Sequence, residues 1–146
     1  MAIDQATAAR AREIMGKSMV TSFASIDENG CPQIRAMMPT AIEDDFIVYY
    51  ITSRMTSKCR QIQANPKVSS LWSEVIDPMT NWRSVLVKGE ARISDDKALR
   101  DRFWMDEYRP FFPGGADDPN YVIIICKPTE MIIADQQTMP PIVVKM

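Results

Sequence analysis

Apolar and polar positions change period several times along the chain. From Asp4 to Met15 the apolar residues Ala8, Ala11, Ile14 and Met15 recur at helical spacing, which predicts a short amphipathic helix capped by Asp4. Ser18 to Ile26 alternates weakly and is rich in Val, Thr and Phe, as in a strand. Asp27-Glu28-Asn29-Gly30 supplies a turn, with Asn-Gly offering the positive φ angles of a tight hairpin, and Gln33 to Pro39 returns. After Glu43-Asp44-Asp45, the unbroken run Phe46-Ile47-Val48-Tyr49-Tyr50-Ile51 predicts a strand covered on both faces or nearly so. Ser57 to Ala64 has helical spacing and ends at Asn65-Pro66. Val68 to Val75 and Ser84 to Ile93 read as strands around a loop with Asp77-Pro78. Ser94-Asp95-Asp96 starts a third helix through Leu99, Phe103 and Trp104. Tyr108 to Asn120, with three prolines and two adjacent glycines, is a structured loop. Tyr121 to Cys126 and Met131 to Asp135 are two late strands, and the tail after Gln136 is an arm or a last edge strand.

Hairpin-linked strands with few helices predict a mainly β fold: a six- to seven-stranded antiparallel barrel with three short helices. The 146 residues fit one domain over 1–146, with 136–146 as a C-terminal arm. No linker, repeat or low-complexity tract interrupts it.

Composition narrows the chemistry. The chain has no histidine, which excludes a Ser-His-Asp triad, a Cys-His dyad and any His-ligated zinc or haem. A net charge of −2 argues against a nucleic-acid partner. The cysteines Cys31, Cys59 and Cys126 are odd in number and form no C-x-x-C pair. They fit free thiols and no metal site, in a cytoplasmic protein. No apolar run is long enough to span a bilayer, so no membrane association is expected. The 11 methionines read first as core filler and second as an adaptable surface.

The most informative stretch is Tyr50-Ile51-Thr52-Ser53-Arg54-Met55-Thr56-Ser57-Lys58, a strand running into a helix start crowded with hydroxyls and cations. Helix N-termini attract anions, so Ser57 and Lys58 make a candidate phosphate seat. The plainer reading is that Thr56 or Ser57 is a cap and the bases are solvated. Arg35, in the middle of the first return strand, is either a clamp for an anion or an outward-facing residue. In a small barrel one dianionic group could satisfy both Arg35 and Ser57-Lys58.

The order Gly30-x-Pro32-x-x-Arg35-x-Met37, Ile51-Thr52-Ser53, Ser57-Lys58 with Asn65-Pro66-x-Val68, and Val87-x-Gly89-x-Ala91 resembles the pyridoxamine-5′-phosphate-oxidase-like FMN-binding split barrels. Within them it is most similar to the short general stress protein branch. The likeness extends over Leu99 to Trp104 and Phe111-Phe112-Pro113-Gly114-Gly115. It implies a Greek-key split barrel and a homodimer with FMN at the interface. It implies that Arg35 and Met37 line the flavin, that Ile51, Thr52 and Ser53 contact its ring or ribityl chain, and that Ser57 and Lys58 hold the phosphate. It also places Ser84 where the family's oxidases touch the ring, often through a glutamine. The vitamin B6 oxidases carry a Trp, an Arg and a His near the C-terminal strand. Here Ile132-Ile133-Ala134-Asp135 stands there, so pyridoxamine phosphate oxidation is not expected.

Three functions follow as expectations. The first is an FMN-dependent oxidoreductase acting on a small molecule or on NAD(P)H, with no side chain nominated as acid or base. The second is a non-catalytic flavin carrier or sensor. The third is a deazaflavin-binding reductase. Trp104 and Phe103 read as packing residues, whereas Trp82, Phe111 and Phe112 fit packing and a ligand wall equally.

Overall fold

The computed structural model describes residues 3–146. Helix α1 (Gln5–Met15) is followed by strands β1 (Thr21–Ile26), β2 (Pro32–Met37), β3 (Ala41–Ile42) and β4 (Val48–Ser53). Then come α2 (Ser57–Ala64), β5 (Lys67–Asp77), β6 (Asn81–Ser94), α3 (Lys97–Phe103), β7 (Tyr121–Asp135) and β8 (Thr138–Lys145). The strands form one antiparallel sheet in the order β2-β1-β5-β6-β7-β4-β3, with β8 added to β7. The path does not close on itself.

The helix caps follow the sequence. Asp4 accepts from the Thr7 N–H at 2.9 Å and Asp96 from the Leu99 N–H at 3.1 Å. The first turn departs from the Asn-Gly pattern: Gly30 has φ 78° but Asn29 does not share the positive angle, and the Asp27 N–H donates to the Cys31 carbonyl. One left-handed residue is enough for a turn of this length, and Gly30 takes it at no steric cost. Phe46, expected inside a strand, lies in the preceding turn with φ 63°. Its ring is fully buried and lies 4.2 Å from the Arg12 guanidinium.

There are eight strands rather than six or seven. The tail forms β8, and β3 is a two-residue addition. The two late strands are one. Lys127-Pro128-Thr129 looks like a break, yet β7 runs through it on a bulge opposite Lys88 and Gly89. A side chain at Gly89 would place its Cβ 2.2 Å from the Lys127 carbonyl oxygen, so only glycine admits this close approach.

The apolar run of β7 is uninterrupted because it separates two cores. Ile124, Cys126, Met131 and Ile133 face the barrel interior, with Phe23, Tyr50 and Trp72. Tyr121, Ile123 and Ile125 face outwards, beneath Phe103 and Phe112. Strand β4 divides in the same way: Val48 and Tyr50 point in, while Tyr49 and Ile51 pack on the outer cluster. That outer cluster is the floor of the cleft described next.

Candidate functional site

A cleft of about 780 Å³ opens between the end of β2, the end of β4, the start of α2 and the segment after α3. Its polar end carries Thr40, Thr52, Ser53 and Lys58, and its other end carries Phe103, Trp104, Tyr108, Phe111 and Phe112. Met37, Met38 and Ile51 line the wall between them.

The polar end is shaped by the β4–α2 junction. Thr56 stands at the cap position of α2 but makes no side-chain cap bond; its hydroxyl donates to the Ser53 carbonyl at 2.9 Å. No acidic residue lies in the first turn of α2. The positive end of this helix is therefore not offset by a side-chain oxygen. The buried Cys59 thiol also points back to the Ser53 carbonyl, at 3.5 Å.

Lys58 is half-buried, and its ammonium is held below the usual lysine range. Burial is the main cause, the Cys59 thiol acts in the opposite direction, and the nearby positive charge of Arg35 adds to the lowering. Burial likewise lowers Arg35. The Arg35 guanidinium donates to Ser25 Oγ at 2.8 Å, to the Gln33 carbonyl at 3.0 Å and to Gln61 Oε1 at 3.1 Å. Among the described residues neither cation meets a carboxylate. An arriving dianion would offset the burial cost of both cations at once.

Most of the residues expected at the site come together. Met37, Ile51, Thr52, Ser53 and Lys58 line the cleft. Arg35 lies on the next inward position of β2 before Met37, behind the wall, and reaches α2 through Gln61. Ser57 opens α2 beside Lys58 without lining the cleft. Ser84 is elsewhere in the protomer: it sits on β6 between Ser73 of β5 and Ala134 of β7. The aromatic residues divide. Trp104 lines the cleft and also packs edge-on against Tyr121 at 5.3 Å, so wall and packing coincide. Phe112 is 5% exposed against Tyr121, whereas its neighbour Phe111 is 76% exposed at the rim. Trp82 is half-buried on β6 and does not line the cleft.

Sequence reasoning missed Ser25, Gln33 and Gln61, which hold Arg35. It also missed Arg102, which lines the cleft, lies 4.7 Å from the Phe103 ring and pairs with Glu43 at 2.7 Å. A polar residue in the middle of a helix's buried face, as Gln61 is, was the available signal. No histidine, cysteine, aspartate or glutamate lines the cleft. Among the described residues, no cluster of three or more potential ligands is placed to hold a metal ion, and no helix is long and apolar enough to cross a membrane.

A family model described as pyridoxamine 5′-phosphate oxidase like matches residues 8–137. General stress protein 26 of Bacillus subtilis (strain 168) is 28% identical over 130 residues, 89% of each chain. The crystal structure of general stress protein 26 from Bacillus anthracis superposes with a TM-score of 0.77 at 25% identity, covering 96% of this chain and 98% of that one. Two more distant structures share the fold. One is a pyridoxamine 5′-phosphate oxidase-related, FMN-binding protein from Nostoc punctiforme, with TM-score 0.69, 19% identity and coverage of 98% and 89%. The other is a haem-binding protein from Mycobacterium smegmatis, with TM-score 0.75 and 14% identity, covering 99% of this chain and 60% of that one.

Proposed function

The chain belongs to the pyridoxamine 5′-phosphate oxidase-like family, and from that membership and the paired cations of the cleft we propose that it binds FMN and acts as a flavin-dependent oxidoreductase. One observation carries the reading: Lys58 in the hydroxyl-lined cleft and Arg35 behind its wall are both partly buried, and among the described residues neither meets a carboxylate. A phosphate would offset the burial of both charges. The donor set fits the phosphate end of FMN. Lys58, Arg35 and the start of α2 with Ser57 would hold the phosphate. Thr52 and Ser53 supply hydroxyls along the cleft, and Met37 and Ile51 an apolar wall. The aromatic end would exclude water.

Bound FMN would supply hydride and electron transfer; the protein supplies position and electrostatics. That division suits a cleft whose lining has no His, Cys, Asp or Glu to move a proton. NAD(P)H or a small organic molecule is the proposed donor, and pyridoxamine phosphate oxidation is not the reaction. The proposed assembly is a homodimer with FMN at the interface, and Ser84 would join the site from the partner subunit. Exposed Ile34 (67%) on the edge strand β2 and Met38 (64%) just after it, with Phe111 at the rim, favour a second copy at this face. Free thiols at Cys31, Cys59 and Cys126 favour the cytoplasm.

The lack of a histidine, cysteine or carboxylate in the lining also favours a second reading, a flavin carrier or sensor without turnover. A deazaflavin would use the same phosphate seat. The haem-binding neighbour shows that this fold accepts another cofactor, but two cations in a hydroxyl-lined cleft favour a phosphate-bearing one here.

The visible spectrum of the purified protein and an FMN titration test the reading. A flavin spectrum and saturable binding are expected, and Lys58→Ala should weaken FMN on the order of 10-fold. Absence of binding would sink the proposal, and a deazaflavin spectrum would change the ligand. Bleaching of bound flavin by NAD(P)H at a useful rate would decide for the enzyme over the carrier.

A further inference from the structure

We infer that Gln61 is the positioning residue of this anion seat: with Ser25 it aims the Arg35 guanidinium without neutralising it, and so reserves that charge for a phosphate-bearing ligand. The inference rests on the cleft's reading as an FMN site.

Gln61 lies three residues after Lys58 on α2, so the two share a helix face. It is 4% exposed, and an amide buried that deeply needs partners at both ends. It has them. Its Oε1 accepts from Ser25 Oγ at 2.5 Å and from Arg35 at 3.1 Å, and its Nε2 donates to Gln33 Oε1 at 2.6 Å. Ser25 Oγ, fully buried, spends its single proton on Gln61 and accepts from Arg35 at 2.8 Å. The amide has only one workable orientation, because a guanidinium can only donate and the flipped amide would set N–H against N–H.

Every acceptor around Arg35 is therefore neutral. Elsewhere in the chain Arg10, Arg54, Arg83, Arg102 and Arg109 each pair with a carboxylate, whereas Arg12 and Arg100 reach only backbone carbonyls; Arg35 alone among these is held by buried side-chain acceptors. A glutamate at position 61 would have nearly the same shape and would give Arg35 a permanent internal counterion. Glutamine holds the guanidinium with the same oxygen geometry and leaves the charge free. Helix α2 thus serves the seat twice, directly through Lys58 and indirectly through Gln61.

FMN and riboflavin differ only in the phosphate, so their affinity ratio reads the seat itself. The full chain is titrated with both flavins, as the native protein and as Gln61→Glu and Ser25→Ala. The native protein is expected to prefer FMN. Gln61→Glu should weaken FMN by about 10-fold or more while riboflavin binds as before. Ser25→Ala should give a smaller loss in the same direction. Equal losses for both flavins would make Gln61 a packing residue and overturn the inference, as would an unchanged FMN affinity in Gln61→Glu. If Gln61→Glu does not fold, Ser25→Ala carries the comparison alone, with the same two overturning results. A native protein that fails to distinguish FMN from riboflavin refutes the phosphate seat itself. That failure is read before any variant is made, and the role of Gln61 falls with it.

Discussion

At one end of the cleft Lys58 projects from a helix, with Arg35 on a strand behind the wall, held by a neutral network. At the other, Trp104, Tyr108 and Phe112, on the irregular segment between α3 and β7, pack ring against ring over Tyr121, with Phe111 exposed beside them. At the cationic end burial disfavours both charges, and among the described residues no carboxylate offsets it. The aromatic end gains by burial whether or not a ligand is present. Changes at the cationic end should therefore alter affinity more than stability, and changes at the aromatic end the reverse.

The largest effect is expected from removing both charges. Arg35→Met with Lys58→Met keeps the apolar stems and removes the cations. FMN affinity should fall by about 30- to 100-fold, no more than the product of two single losses of about 10-fold because both cations serve one group. The free protein should lose little stability, since relief of the repulsion is set against the three hydrogen bonds that Arg35 gives to Ser25, Gln33 and Gln61. A large loss of stability in this variant would break the proposed division between the two ends.

Phe112→Ala tests the other end. Its ring is buried against Tyr121 at a centroid distance of 5.2 Å, and its loss should cost about 3–5 kcal/mol in denaturant unfolding. The FMN-to-riboflavin preference should survive in the folded fraction. If that preference collapsed instead, the two ends would not be independent.

Much of this contrast was legible in the sequence, for physical reasons that differ by residue. Lys58 was visible because a lysine at a helix start after a β-branched strand is a local pattern. Arg35 was visible as a cation in a strand, but its partners were not. Ser25 and Arg35 share a face of the β1–β2 pair only through the register that sets Phe23 opposite Arg35. Gln61 joins them only because α2 crosses that pair. Long-range register of this kind leaves no trace in local spacing. The same limit split β7 in two: Pro128 reads as a breaker until it is known to lie across from Gly89 in a bulge.

A smaller effect should appear with alkali, and it also separates the two cores. Burial pushes the Cys126 thiol up to about 12 from 9. It pushes Tyr50 up to about 12 from 10, partly offset by its hydrogen bonds with Ser70 and Thr21. It pushes Tyr121 up to about 12 as well, with Tyr108 adding to the rise. Each group is harder to deprotonate when folded. Their stabilising contribution is full below the ordinary value and is lost as pH climbs towards 12, because only the unfolded chain releases the proton there. Stability should be flat up to pH 9 and then fall, with Cys126 costing about 1 kcal/mol per pH unit. Cys126→Val should move the onset from near 9 to near 10, where the tyrosines take over. An onset unchanged in that variant would show that the thiol is not sealed in the interior core.

The smallest effect on stability is expected one residue from one of the largest. Phe111 is 76% exposed at the rim, and its ring covers nothing in the single chain, so Phe111→Ala should change stability by less than about 0.5 kcal/mol. Its value lies in what else it moves. If the rim faces a second copy of the chain, the variant should dissociate at higher protein concentration than the native protein in light scattering, and FMN should weaken with dissociation. If the rim faces solvent and ligand alone, the mass should not change and only the rate of flavin release should rise. A variant altered in neither respect would remove Phe111 from the cleft's working surface and confine the aromatic end to Trp104, Tyr108 and the buried Phe112.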